Sequence, residues 1–387
     1  MSFVTHRYSL PVSSAEISTI DPQRLLEVDE KHKKLIEFLE SHQLDALLLQ
    51  KPENLSWFTA GGDFARMGSS ETAGSIFVTP AARLLATNSI DAARIFDREI
   101  PGFGFQVKER PWHESPETLI EDLCRSRRVA SDTGQHSTKD VSLHLKNLRV
   151  SLTERDCGLL RELGRDISHA VEATARNLQR GQTEAEIAAQ LAHRLIKRNI
   201  VPDRIQVLAD GQSQRYPSWS YGDDRVERYC IISAVGRRNG LHVGASRTVS
   251  FGALPRTVRD AHFRVMLVQA TGMHFSQPDW EMFEIWNRIQ RIYEKFGHPL
   301  EWRRAEQASV MGYKASEVPL VPNSQFRLEE NMVLHWHPSI GAAMVGDSIL
   351  VAEGGFELLT PLDEWPKIKI EVKGLPIYRP DILQRPE

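Results

Sequence analysis

Two histidines, His335 and His337, stand two residues apart in the run NMVLHWHPSI. Successive side chains of an extended strand alternate faces, so both imidazoles point one way and Trp336 the other. Histidines titrate near neutrality, and two close together depress each other's pKa. One could serve as general base for a water while the other donates a hydrogen bond to a substrate. A second run, LHVGASRTVSF, puts His242, Gly244 and Ser246 on one face by the same rule. Arg247 beside them offers a planar fork suited to a carboxylate or phosphate. Plainer roles compete with each of these. His242 could simply bond a strand neighbour, His335 and His337 could form a satisfied structural pair, and Arg247 could be a structural residue.

The elements that must hold these residues fill the second part of the chain. Thr153–Leu178 reads as a long amphipathic helix. RGQT breaks it, and Thr183 with Glu186 forms a capping box opening the helix EIAAQLAHRLIKR. The strands RYCIISAVG and LHVGASRTVSF follow. Val258–Phe275 reads as helical, and so does Ser276–Gly297, which Gly297 ends. NMVLHWHPSI, DSILVAEGG and FELLT are strands. Helices, a hairpin, helices and then a strand meander make an α+β order. The first part alternates instead. Asp21 caps a helix running to about Ser41, Leu44–Gln50 is a buried strand, and Gly74–Pro80 with Arg83–Thr87 reads as a hairpin. A helix with a Ser-Pro start spans Ser115–Arg125, and Arg128–Gly134 is a further strand. The expected organisation is an α/β N-terminal domain over 1–150 and an α+β domain over 151–387.

Composition narrows the classes. A chain of 387 residues exceeds one small core. A formal net charge of −3 advertises no basic surface for nucleic acid, so no nucleic-acid partner is expected. Three cysteines, Cys124, Cys157 and Cys230, are too few and odd for a disulfide framework and point to a reducing, cytoplasmic setting. The opening run MSFVTHRYSLPVSSAEIS lacks a signal-peptide core, and no apolar run is long enough to span a bilayer, so no membrane association is expected.

The fragments RGQTEAEIA, NG-x₆-RT-x₃-G, GYKASEVP, LEENMVLHWHP and DSILVAEGGFELLT, in that order, resemble the landmarks of the pita-bread family: methionine aminopeptidase, Xaa-Pro aminopeptidase, prolidase and creatinase. The resemblance implies an α/β N-terminal domain followed by a pita-bread domain of creatinase/aminopeptidase type. The family's metallopeptidases hold two metal ions with two Asp, one His and two Glu. Carried over residue by residue, those positions fall on Ala234 (or Ser233, because the hairpin is one residue shorter), Gly244, Ser309, His337 and Gly346. Asp347, which follows the last of them, is retained. Hard divalent ions need anionic oxygens, and this set offers none.

The resemblance therefore implies a divergent branch without the dinuclear site, and no cofactor is expected. Its cavity would be lined by His242, His335, His337, Ser246 and Ser309, with Tyr216 and Glu317 at the rim. Tyr216 could equally be a filler, and Glu317 an ion-pair partner of Lys314. By analogy with metal-free relatives such as creatinase, the expected activity is metal-independent hydrolysis of a small C–N-bonded substrate: an amide, amidine or ring. His337, His335, His242, Tyr216 and Glu317 would be its acids and bases, and Arg247, Ser246 and Ser309 would bind substrate. Two alternatives are a catalytically inactive binding module for a small-molecule, peptide-like or protein partner, and an Xaa-Pro peptidase with a metal site rebuilt from His242, His335 and His337. The resemblance also implies a homodimer in which Arg66 or Trp57 of one subunit reaches the cavity of the other.

Overall fold

The computed structural model describes residues 20–66 and 71–386, so the opening run just mentioned lies outside the described residues. The chain divides into two compact units, Met1–Arg149 and Val150–Glu387. No helix among the described residues is long and apolar enough to cross a membrane.

The first unit is built on a six-stranded sheet ordered β4-β3-β2-β1-β5-β6. Its strands are β1 (Ala46–Leu49), β2 (Gly74–Thr79), β3 (Ala82–Asn88), β4 (Phe105–Arg110), β5 (Val129–Ser131) and β6 (Lys139–Asp140). Its helices are α1 (Pro22–Ser41), α2 (Pro52–Phe58), α3 (Ala92–Arg94), α4 (Pro116–Cys124) and α5 (Ser142–Val150). Asp21 caps α1 by accepting from the backbone N–H groups of Gln23 and Arg24 at 3.0 and 3.2 Å. The four residues of β1 are fully buried, as an unbroken apolar run at a sheet centre requires. Buried Asp132 accepts from the backbone of Gln50 and Lys51 and from Asn54, which fixes the turn from β1 into α2.

The second unit opens with α6 (Glu154–Asn177) and α7 (Glu184–Ile196), each started by a capping box, Thr153 with Asp156 and Thr183 with Glu186. β7 (Val201–Ala209), β8 (Tyr229–Arg238) and β9 (Leu241–Phe251) form an antiparallel meander. Asn239 and Gly240 both take positive φ, 53° and 74°, between β8 and β9. That is the two-residue turn whose twist matches a hairpin, and it sets the register Arg238↔Leu241. α8 (Arg256–Phe275) and α9 (Met282–Lys295) come next. α9 starts six residues later than the sequence pattern suggests. Ser276 belongs to the end of α8, where its hydroxyl donates to the Gly272 carbonyl at 2.8 Å, and Glu281 caps α9 instead.

The remaining strands are β10 (Ala308–Met311), β11 (Val318–Pro319), β12 (Val333–Trp336), β13 (Ser339–Ile340), β14 (Ala343–Met344), β15 (Asp347–Ala352), β16 (Gly355–Leu358), β17 (Lys367–Val372), β18 (Leu375–Pro380) and β19 (Leu383–Arg385). Two sheets matter for the site. One is ordered β11-β10-β12-β15-β16, the other β19-β9-β8-β7, and Ser246↔Gly346 bridges them. α8 and α9 pack on the first through Val265, Met273, Trp286 and Tyr293 against Leu334, Trp336 and Ile349. α6 backs the second: a Cβ on Gly236 would meet Ile200 and the α6 residue Ile167.

A buried ionic network joins these pieces. Arg247 on β9 donates to Glu172 of α6 at 2.9 Å, to Asp347 of β15 at 2.9 Å, and to Ser168 at 3.0 Å. Arg379 of β18 pairs with the other Asp347 oxygen and donates to Gln269 of α8. All four ionic side chains are shut from solvent. Removing one partner from such a set leaves an uncompensated buried charge. Asp347→Asn is expected to lower unfolding stability by about 3–5 kcal/mol, read as a fall in the urea midpoint. An unchanged midpoint would show that the network carries no such weight.

Candidate functional site

Strand alternation sorts the hairpin β8–β9 into two faces. Arg247 and Gly236 face α6. Gly244 faces the other way, since a Cβ there would lie 2.6 Å from Cε1 and 2.7 Å from Nε2 of His335. Gly244 stands opposite Val235, and Ser246 opposite Ser233. The face of the hairpin turned toward His335 thus carries Ser233, Val235, Gly244 and Ser246, whereas Ala234 lies on the α6 side with Arg247. Of the two positions left open for the first ligand, the strand places Ser233 on the cavity face.

The opposing wall comes from β10, β12 and β15, where Ser309, His335 and Ser348 lie side by side in register. Trp336 turns to the other side. Its ring packs against Gly272 of α8, and its indole N–H donates to Ser276 at 3.1 Å. His335 and His337 therefore share the inner face, and their rings stack at 4.7 Å with 18° between planes. His335 is 1% exposed, and its Nδ1 lies 3.1 Å from Ser348 Oγ. Ser348 in turn clasps Gly244, accepting from its N–H and donating to its carbonyl, both at 3.0 Å. His337 is half-buried, and its Nδ1 meets the His335 carbonyl at 3.2 Å. Gly346 closes the wall, where a Cβ would lie 2.8 Å from Ser246 Oγ. Two buried polar atoms here have no partner among the described residues, His335 Nε2 and Ser246 Oγ.

Electrostatics keep both imidazoles neutral. Burial drives His335 well below the ordinary histidine value, and His337 and Arg204 push it further down. Burial and then Arg204 lower His337 to about 3. Arg204 is the residue sequence reasoning missed. It is exposed on β7 opposite Val235, in one row with Gly244, and feels the charge of Glu306.

Several expected site residues turn out otherwise placed. His242 is satisfied at both nitrogens, by the Gly312 carbonyl at 3.0 Å and Asp203 at 2.8 Å, so a three-histidine metal cluster is not gathered. Among the described residues no group of three or more His, Cys, Asp or Glu is arranged to hold a metal ion. Arg247, expected as a ligand clamp, is fully engaged by the network behind the hairpin. Tyr216 is 42% exposed and leans on Trp219 beneath Arg215. Glu317 is buried rather than at an open rim, and its backbone N–H donates to the Val310 carbonyl. In the first unit Arg66 pairs with Asp91, and Trp57 is buried in α2, which removes its indole as a reaching group.

The comparisons agree with this architecture. Residues 158–358 match the profile of metallopeptidase family M24, which covers more than half of the chain, and the chain belongs to that family. The Xaa-Pro dipeptidase of Pyrococcus horikoshii is 22% identical over 356 residues, spanning 86% of this chain and 97% of the relative. The prolidase structure from Pyrococcus horikoshii OT3 superposes with a TM-score of 0.74 at 17% identity, covering 86% of this chain and 99% of that one. Dipeptidase PepE from Mycobacterium ulcerans gives 0.76 at 13% identity, covering 94% and 99%. The fold is thus an N-terminal α/β domain followed by a pita-bread domain.

The buried histidines make stability depend on pH in a fixed direction. Burial holds His262, against the Pro380 carbonyl, down at about 4. Below pH 6.5 the unfolded chain takes up protons at histidines that the folded chain keeps bare, so stability is present above that pH and lost on descending toward 4. Each such group contributes a slope of up to about 1.4 kcal/mol per pH unit, less for half-buried His337. Urea midpoints should fall between pH 6.5 and 4, and the fall should be shallower in His262→Gln. An identical slope in that variant would remove His262 from the account.

Proposed function

We propose that this pita-bread protein of the M24 family does not operate as a two-metal peptidase, and that its central site binds a small organic ligand instead. The observation that carries the reading is the donor set at the family's ligand positions. Ser233, Gly244, Ser309, His337 and Gly346 supply one imidazole and no carboxylate. Asp347 is no substitute, because Arg247 and Arg379 engage both of its oxygens. The space in front of Gly244 is filled by the ring of His335. A pair of hard divalent ions does not fit such a lining, and Arg204 nearby opposes any cation.

Binding without turnover is favoured over metal-independent hydrolysis by the state of the imidazoles. A general base works best with a pKa near the operating pH, and a histidine held at about 3 is a weak one. Hydrolysis of a small amide, amidine or ring compound stays as the second reading because His337 is half-buried rather than sealed, so a substrate could meet its ring.

The two readings separate cleanly. Protein equilibrated with manganese or cobalt and then desalted should carry far less than one ion per chain, and should leave Xaa-Pro dipeptides intact. Two ions per chain with dipeptide cleavage would overturn the proposal. Turnover that survives EDTA and vanishes in His337→Ala would promote the hydrolase reading.

A further inference from the structure

A cavity of about 590 Å³ lies within the first unit, lined by residues between Gln50 and His136. Small-molecule sites commonly hold about 300–1,000 Å³. Strand directions place it. β1, β3, β4, β5 and β6 run one way and β2 the other. Gln50, Asn88, Arg110 and Thr133, which end or follow β1, β3, β4 and β5, all line the cavity, so it opens at the carboxyl edge of the sheet. From β1 the chain builds outward through β2, β3 and β4, and then sets β5 and β6 on the other side of β1. Ligands of open α/β sheets sit in the crevice outside such a reversal. Gln50 and Thr133 meet there, the Thr133 hydroxyl donating to Gln50 Oε1 at 2.9 Å.

The lining decides what charge is accepted. In doubly wound folds the turn after the first strand holds phosphate through backbone N–H groups. Here buried Asp132 already accepts from the N–H groups of Gln50 and Lys51, at 3.0 and 2.9 Å, and from the Asn54 amide at 2.8 Å. The chain's own carboxylate fills the place of an anion. Among the described residues the charges around the cavity also balance, Lys51, Arg66 and Arg110 against Glu71, Glu114 and Glu117. Arg66 is paired with Asp91, and Arg110 with Asp122 at 2.8 Å. An uncharged ligand suits this lining better than a phosphate or a cation.

Uncommitted groups supply the contacts. Trp112 is 64% exposed, and among the described residues its ring meets only the edge of His113, 5.8 Å between centroids. An indole left in water at a cavity rim is a stacking surface for a flat ring. The side chains of Ser75 and Gln135 and the amide nitrogen of Gln50 make no hydrogen bond among the described residues. Each is a neutral group able to bond a hydroxyl or a ring nitrogen.

We propose that this crevice binds an uncharged nucleoside, its base stacked on Trp112 and its polar groups met by Gln50, Ser75 and Gln135. The site belongs to the first unit alone and does not depend on the reading of the histidine site in the second.

Equilibrium dialysis of the whole protein against labelled adenosine tests it. Adenosine should be retained, Trp112→Ala should weaken retention about tenfold or more, and Trp112→Phe should recover part of the loss. Gln135→Ala, also at an exposed position, should weaken it several-fold. Unaltered urea midpoints should show that these variants fold. Adenosine 5′-monophosphate should bind no more tightly than adenosine, and glucose should not compete. The proposal is overturned if adenosine is not retained, if Trp112→Ala retains it normally, if the monophosphate binds about tenfold more tightly, or if glucose displaces adenosine on equal terms.

Discussion

Four buried charges that sum to zero hold the pita-bread domain together. Arg247, Glu172, Asp347 and Arg379 sit where water does not reach, and each guanidinium meets a carboxylate. Burial alone raises the Glu172 carboxyl, with the Arg247 charge opposing it. None of the four can be dropped singly, because the desolvation of its partner would stand uncompensated. The set links α6, β9, β15 and β18, and so fixes how the hairpin meets the second sheet. This gives a physical reason why Asp347 persists although Gly346 beside it bears no side chain. Asp347 answers to two arginines behind the wall, whereas a side chain at position 346 would run into Ser246.

The cavity face obeys a different constraint, that of volume. His335 can lie against the hairpin only because position 244 has no Cβ, and Gly346 leaves room for Ser246 in the same way. Small residues on one sheet accommodate large ones on the other, as close packing demands. A side chain long enough to hold a metal at position 244 would collide with the imidazole. The glycine at 244 and the imidazole of His335 are thus coupled through contact.

Much of the fold could be read from the sequence because local chemistry decides it. The capping boxes at Thr153 and Thr183, the Asn239-Gly240 turn and the alternation around Trp336 each rest on short-range rules. What escaped depends on distant partners. Arg247 looked like a ligand clamp until Glu172 and Asp347, 75 and 100 residues away, claimed its fork. His242 was consumed by Asp203 and Gly312 in the same manner. Arg204 was missed because β7 opens on Val201, Pro202 and Asp203, a largely exposed start interrupted by proline that hides a strand. Its signal was the following run IQVLA, which places Arg204 and Gln206 on one face. Ser276 has the type of a helix cap but bonds backward to Gly272, so α9 begins later than the pattern suggests.

The sign of the potential in the cavity follows from these substitutions. A lining of acids attracts cations and repels carboxylates until metal is bound. Asp347 is neutralised behind the wall by two arginines, and Arg204, which itself feels Glu306, pushes both imidazoles further down. Two imidazoles that burial keeps neutral add acceptors without adding charge. In a low-dielectric site such a balance selects by charge first and by hydrogen-bond polarity second. The family's scaffold carries in this chain a wall of imidazoles packed against a glycine, with hydroxyls rather than carboxylates beside them.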